Sequence, residues 1–553
     1  MAEWRRRVLP AAVLMATAAW LEAGEAGPFQ RRWVYVSETS AVIYWQLDDI
    51  RREALSYVEY GQTKDLTQKT PATTDPRWAH FHRLKGLQTG RPCYYRMVIV
   101  DAESKAETKS EVLSLETTRR EGAIRIPQEV KGPPFTLDKP GATYVLTQDV
   151  TADGDVFIIT GSDVTLDLDG HTVVFGNNTG EQVSGVLAKN TGKATICNGH
   201  VVQGARCKAY STAVESRWRP EPTEIFGIST DVHLPNAYPV KFLGKATGVR
   251  VHHNLLASRV TEIESRHYPG NDLLRLDIAG GNIEVSDNLL SEGCHIGIRL
   301  AGEGPNVEVH HNDIRHHQRY VNGYALACSC PGLKVHHNRV TSAGRGAHLT
   351  AEGIEFADNY LDLVGRPDLD DMPARSRPFK TIAVELHGIK FEGDKVRNCR
   401  VTGNFCRIVQ KLPDARGLYV PATPLNIACY DPNAMNEIAE NTFVALTEHR
   451  KTRHGGYGDS GEWAASVYFV GMDKGPAQAG KWSAWLHDNR FISNDLFLGS
   501  QTPVNMTIRI ERNTFVLATE PPPKPMPPSG ELAQPSRPSS RRAATASSDG
   551  HSV

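Results

Sequence analysis

The chain has 553 residues, with 62 Lys and Arg against 63 Asp and Glu, and a net charge of −1. That balance gives no electrostatic reason to expect nucleic acid or a strongly anionic surface as a partner. The length allows two or more domains.

Arg5, Arg6 and Arg7 precede a largely apolar stretch from Val8 to Trp20, interrupted by Pro10, and a small-residue exit at Gly24-Glu25-Ala26. This reads as an export signal cut near Ala26, too short for a membrane span. It predicts a secreted protein, extracellular or periplasmic. No later stretch is apolar for long enough to cross a bilayer.

Residues 28–118 read as short strands: Arg32-Trp33-Val34-Tyr35-Val36, Ala41-Val42-Ile43-Tyr44-Trp45, His80-Phe81-His82-Arg83-Leu84 and Cys93 to Val100. Alternation between turn signals predicts a small β-sandwich. His80 and His82 share one strand face; with no further ligand near in sequence, they are expected to be exposed rather than metal-bound. The order of Trp45, Tyr57-Val58-Glu59-Tyr60-Gly61, Leu84-Lys85-Gly86-Leu87 and Tyr94-Tyr95-Arg96 resembles a fibronectin type III domain. The resemblance implies a spacer or interaction module without chemistry of its own.

Residues 127–518 read as a second domain, and within it a tetrad recurs from Val251 to Asn513: a β-former, two mostly polar residues, then Asn. It reads Val251-His252-His253-Asn254, Val285-Ser286-Asp287-Asn288, Val309-His310-His311-Asn312 and Val335-His336-His337-Asn338, with later copies ending at Asn359, Asn404, Asn441, Asn489 and Asn513. The asparagines are 34, 24, 26, 21, 45, 37, 48 and 24 residues apart, spacings that suit coils of a solenoid with inserted loops. Asn tolerates a left-handed backbone, so it is expected to make the turn itself, with its amide pairing to adjacent coils. Ahead of the tetrads, Val164-Thr165-Leu166-Asp167-Leu168-Asp169-Gly170-His171 resembles the opening coils of pectate-lyase-like right-handed parallel β-helices. The expected fold is therefore all-β: a fibronectin III-like sandwich followed by a right-handed parallel β-helix. From Pro521 the chain is rich in Pro, Ser, Arg and Ala and is expected to be a disordered tail.

Nine cysteines is an odd number for an exported chain. Cys197 with Cys207, or Cys399 with Cys406, are candidate pairs, but strand settings such as Thr195-Ile196-Cys197 favour buried free thiols. No Cys-x-x-Cys occurs, so no zinc cluster is expected. The His-His pairs at 310–311 and 336–337 fall on successive coils and are expected to stack there; adjacent strand residues face opposite ways, so neither pair is expected to chelate. Asp368, Asp370 and Asp371 leave Ca²⁺ open as a cofactor, against a solvated acidic loop.

The β-helix scaffold hosts lyases, hydrolases, epimerases and non-catalytic proteins, so function must come from a site. Each coil is expected to have a strand ending at the tetrad, a second strand after Asn, a variable loop and a third strand. In the third strands, aliphatic residues at period 2 point inward. Arg275, Asp277, Arg299, His348, Glu385, His387, Asn426 and Tyr468 then point outward as one polar column. Loops bring His267, His295, Tyr320, Asn322, Arg345 and Lys380 to its edges. A polysaccharide is the expected partner, met by a monomer. Three readings stay open. A lyase or C5-epimerase on a uronate-containing glycan would use Arg275 and Arg299 for the sugar carboxylate, His348 or His387 as base, and Tyr468 or another His as acid. A glycoside hydrolase would use Asp277 and Glu385, or Glu352 from a loop. A non-catalytic glycan-binding protein is the third. The paired-aspartate and Arg-Ile-Lys signatures of polygalacturonases are missing at comparable positions, and the Asp-Pro-His motif of alginate epimerases is absent.

Overall fold

The computed structural model describes residues 27–189, 192–207, 211–217, 222–234, 237–259, 272–293, 295–317, 323–343, 345–364, 381–387, 395–410, 422–447, 465–470, 477–501 and 506–518. The expected export signal and tail lie outside these residues. So do Asp368, Asp370 and Asp371. Every regular element described is a β-strand, and no helix among the described residues is long and apolar enough to cross a membrane.

The N-terminal unit is a two-sheet antiparallel sandwich. Gln30–Val36, Ala41–Gln46 and Ala79–Leu84 make one sheet; Gln68–Lys69, Leu55–Gly61, Pro92–Val100 and Glu107–Lys109 make the other. Trp33, Tyr35, Trp45, Val58, Tyr95 and Met97 form the shared core. His80 and His82 are buried, not exposed: their rings lie near-parallel to Trp45 at 4.9 and 5.4 Å. The strand alternation was read with the wrong face outward, because the face carrying the histidines is the one turned to the core. His82 is held by Ser56 Oγ (2.8 Å) and Thr70 Oγ1 (3.0 Å), whereas neither ring nitrogen of His80 finds a hydrogen bond among the described residues.

The rest of the described chain is a right-handed parallel β-helix with three strands per coil, as in Arg250–His252, Leu255–Ser258 and Asp272–Ile278. Third strands stack into a thirteen-stranded parallel sheet from Phe135–Leu137 to Leu496–Gln501. Inward residues repeat coil after coil: Leu274, Ile298, Leu326, Ala347, Val384, Leu425 and Val467 are all in register and buried. Aromatic rings stack at the two ends of the core, Phe135 on Phe157 at 5.5 Å and Phe443 on Phe491 at 5.6 Å.

The tetrads set this register. Asn338 Nδ2 donates to Asn359 Oδ1 (3.0 Å) and to the Val309 carbonyl (2.9 Å). Its own Oδ1 accepts from the backbone N–H and Nδ2 of Asn312 (3.1 and 2.9 Å). The same amide-to-amide bond links Asn254, Asn288, Asn312, Asn338, Asn359, Asn404, Asn441, Asn489 and Asn513 without a break. Asn does not make the turn, contrary to the expectation from sequence. The residue before it does: His253, Asp287, His311, His337, Asp358, Gly403, Glu440, Asp488 and Arg512 all have φ between 49° and 67°. Asn is kept in the ordinary region because its amide must point along the helix axis.

That turn also changes the histidine pairs. Because its second residue is left-handed, the two rings of each pair meet: Nδ1 atoms lie 2.8 Å apart in His252–His253, 3.0 Å in His310–His311 and 2.9 Å in His336–His337. The strand rule that placed them on opposite faces fails at the turn. Between coils the rings stack, His310 on His336 at 5.1 Å and His311 on His337 at 5.0 Å.

The sandwich seats on this turn side of the helix. Arg31 forms a bidentate pair with Asp287 at 2.8 Å, and Trp33 lies flat on His253 at 4.2 Å. Tyr35 and Ser37 hydroxyls donate to Asp167, and the Thr39 and Ser40 hydroxyls donate to Asp169, all at 2.7–2.8 Å. The backbone N–H groups of Trp78 and Ala79 donate to the buried Asp313 carboxylate. The Asp-Leu-Asp-Gly motif of the opening coil thus holds the neighbouring unit. Eight cysteines are described, and all are buried free thiols.

Two predictions follow from this packing. Asn338→Ala takes the partner of the buried Asn312 N–H and one partner each of Asn312 Nδ2, Asn359 Oδ1 and the Val309 carbonyl, and denaturant unfolding should show a loss of about 3–5 kcal/mol. Burial also lowers His80 to about 3, with His82 adding to the effect; burial alone lowers His82 to about 4 and leads the fall of His200 to about 4, against an ordinary 6.5. Below pH 6.5 the unfolded chain binds protons that the folded chain refuses, so this stability is whole above pH 6.5 and lost as pH falls toward 4. The melting temperature should drop through that window, and His80→Phe should flatten the drop.

Candidate functional site

The third-strand sheet carries the polar column in a single register: Lys241, Arg275, Arg299, Ala327, His348, Glu385, Asn426 and Tyr468 stand on successive coils. Neighbouring strands lie about 4.8 Å apart, so the side chains form one line along the helix. Asp277 lies two residues along the strand from Arg275 and pairs with it at 3.3 Å. His387 takes the matching place beyond Glu385, paired with Ala428; its side chain is outside the described residues, as are Lys380, His267, Tyr320 and Asn322.

The column has two halves of different character. Arg275 and Arg299 are partly open, with 25% and 36% of their side chains exposed, and Lys241 and His348 are half-buried. Glu385, Asn426 and Tyr468 are instead buried, at 6%, 1% and 6% exposure. The outward polar column expected from sequence is open to solvent only in its first half.

In the open half, the Lys241 ammonium sits 4.3 Å over the Tyr238 ring. Burial pushes the Tyr238 phenol up to about 12, helped by the Asp272 charge. His295, expected at a loop edge, is buried and shares a 2.8 Å hydrogen bond through Nδ1 with the equally buried Asp272. Asp272 also faces Arg299 Nη1 at 3.8 Å. This carboxylate therefore braces both an imidazole and a column guanidinium from behind.

In the closed half, Tyr324 is the organising residue. Its hydroxyl donates to Glu385 Oε2 at 2.5 Å and accepts from Arg345 Nη1 at 2.5 Å. Asn426 Nδ2 donates to the other Glu385 oxygen at 2.8 Å. The Tyr324 ring lies parallel to His348, with centroids 4.4 Å apart and planes 9° from parallel. Burial first, and then the Glu385 charge, hold the phenol well above its usual range, so it stays protonated. Arg345, Glu385, Asn426 and His348 thus meet around one tyrosine. Sequence reasoning placed all four near the column but missed Tyr324. It opens its strand on the inward parity, as does Arg345, and period 2 assigns such a position to the core. Lys241 was missed because its coil precedes the first Asn tetrad. A Tyr and an Arg at matching positions of adjacent third strands, where aliphatics are the rule, was the available signal.

The two hydrolase candidates are not brought together. Asp277 and Glu385 lie four coils apart, about 19 Å at 4.8 Å per step. Glu352 sits at a turn, paired with Arg397 at 2.8 Å. Among the described residues no group of three His, Cys, Asp or Glu side chains is arranged to hold a metal ion.

No family model matches the chain, and a search of curated proteins finds no match. Similar solved structures include a family 28 exopolygalacturonase from Yersinia enterocolitica (11% identity, 90% of this chain and 100% of that one, TM-score 0.31). Another is a tailspike mutant of E. coli bacteriophage HK620 in complex with a pentasaccharide (12%, 69% and 71%, 0.34). A third is pectate lyase PelI from Erwinia chrysanthemi in complex with tetragalacturonic acid (13%, 68% and 99%, 0.17). Likenesses of this size carry no argument about activity.

Tyr324→Phe should strip a buried carboxylate and a buried guanidinium of one partner each. Denaturant unfolding is expected to show a loss of about 2 kcal/mol, and the loss should be smaller when Glu385→Gln is already present.

Proposed function

We propose that this is an exported carbohydrate-active protein that cleaves a uronate-containing polysaccharide by β-elimination along the third-strand sheet. The observation that carries the reading is the register Lys241–Arg275–Arg299–Ala327–His348. Three cations on successive coils suit carboxylates repeated along an extended anionic chain. Ala327 then leaves a gap in the line of large side chains where a sugar ring can sit between Arg299 and His348.

β-Elimination needs three things of the site. A cation must take up the charge that grows on the uronate carboxylate as the adjacent C–H proton is removed; Arg299, braced by Asp272, suits that task. A base must accept the proton, and His348 suits it, being half-buried and fixed in plane by Tyr324. An acid must supply a proton to the leaving glycosidic oxygen; of the two expected candidates His387, on the coil next to His348, suits that role, whereas Tyr468 is buried and three coils from His348, about 14 Å at 4.8 Å per step. The electron pair of the broken C–H bond forms the C=C bond, and the C–O bond to the leaving sugar breaks. An epimerase would use the same residues and return the proton to the opposite face.

Hydrolysis is the weaker reading. Paired carboxylates work at about 5–9.5 Å, well short of the separation of Asp277 and Glu385. The basic and apolar N-terminal segment supports export. The strand pairing of the sandwich, 30–36 with 41–46 with 79–84 against 55–61 with 92–100, supports a fibronectin type III-like module that docks on the solenoid and leaves the column clear.

Purified protein incubated with acidic polysaccharides should produce unsaturated-uronate absorbance and reducing ends together. Arg299→Ala and His348→Ala should each lower kcat/KM by about 100-fold or more. Reducing ends without unsaturation would overturn β-elimination, and a silent wild type across uronate glycans that it nevertheless binds would leave a binding protein.

A further inference from the structure

The helix is closed at one end and open at the other. At its start, Ile126 and Phe135 are buried. At its finish the core rows run out into solvent. Ile510 stands in register with Leu486, Phe515 with Phe491, and Leu498 with Val467. Leu486, Phe491 and Val467 are fully buried, whereas Ile510, Phe515 and Leu498 are 42%, 44% and 43% exposed. Leu517, in register with the buried Ser493, is 60% exposed. An apolar residue exposed singly needs no explanation, but a group of them at core positions marks a surface made to be covered.

The backbone at this end is open as well. Ile508–Glu511 and Thr514–Leu517 each pair with a strand of the coil before, and no strand among the described residues pairs with their far edges. Leu496–Gln501 likewise ends the thirteen-stranded sheet. The asparagine ladder stops at Asn513: each earlier member gives its backbone N–H to the next Asn, and no described Asn follows this one. An open edge is a template for another strand. Whatever covers the end must therefore offer strand edges and apolar side chains together.

The chain's own continuation offers neither. Residues 519–538 include eight prolines, which have no N–H for a ladder, and residues 519–552 hold no Ile, Val, Phe, Trp or Tyr. A second copy offers both, because its last coil is the same surface. Two copies set end to end run their last strands antiparallel. A two-fold axis through Ile510 puts Ile510 opposite Ile510 in a shared core. It also puts Arg509 of each copy opposite Glu511 of the other on the outside, since residues two apart share a face. Arg509 and Glu511 already pair within one copy and are both partly exposed, so the four charges alternate across the seam. The strand is thus its own complement, as a two-fold interface requires. We propose that the open end of the helix is a two-fold interface with a second copy of this chain, joined edge to edge through residues 508–517, in place of the monomer expected from sequence.

Sedimentation equilibrium of the full chain should give a mass that rises with concentration to that of two chains, and X-ray scattering should show a particle lengthened along the helix axis. Ile510→Lys, on a side chain exposed in the single chain, should weaken association about 100-fold. Arg509→Glu should weaken it about tenfold, and adding Glu511→Arg should restore it to within about threefold, since the swapped pair is again self-complementary. A monomer at every concentration, a side-by-side particle, a dimer indifferent to Ile510→Lys, or no recovery in the swapped variant would each overturn the interface. A monomer whose 508–517 amides resist hydrogen exchange would overturn it too, and would give the end to residues 519–553. Polysaccharide cleavage enters none of these readouts.

Discussion

The buried asparagine ladder is the interaction on which the rest of this molecule depends. Each amide is fully engaged: it donates to the next amide and to a carbonyl of the preceding coil, and its oxygen accepts from the Asn before it. A buried polar network that is satisfied at every member has one arrangement, because any shift leaves groups unpaired at high cost. The ladder therefore fixes each coil over the last in register. Apolar residues follow into stacked rows, and on the third-strand sheet the polar residues follow into one column. Loops of very different length can be inserted between coils without disturbing that column, because the amides re-establish phase at every turn.

The ladder also divides the faces of the solenoid. Left-handed residues before each Asn throw their side chains outward at the corner, and there the sandwich finds an imidazole for Trp33 and a carboxylate for Arg31. Asp313, directly after Asn312, is buried beneath it: burial pushes its carboxyl up, but Arg339 and Arg77 outweigh that and leave it below the ordinary range. The third-strand sheet on another face is left to its own column. Docking and the candidate chemistry are thus carried by different strands of the same coil, and a change in one need not reach the other.

Much of the column was legible because a strand has an alternation of two and the aliphatic residues announce the inward side. Arg275, Arg299, His348, Glu385, Asn426 and Tyr468 could be placed outward from that rule alone. It fails at strand starts, where the chain is still leaving a loop; hence Tyr324 and Arg345, at inward parity, turn out to grip Glu385. It also fails at the turns, where His252 and His253 meet instead of diverging. In the sandwich, His80 and His82 were given the wrong face, since a polar ring packed on Trp45 looks no different in sequence from an exposed one.

The architecture follows from local pattern: a recurring Asn after a β-former specifies a stack of coils, because only stacking satisfies that amide in the core. Local pattern also sets which residues share the outer column, since side-chain direction is a local property of the backbone. Long-range packing sets which of those residues are open and which are closed, that one tyrosine ties Arg345, Glu385 and His348 together, and that the sandwich seats on the turn ladder. Those features rest on contacts between residues far apart in the chain, whose distances are set by the number of coils between them and by how the two units pack.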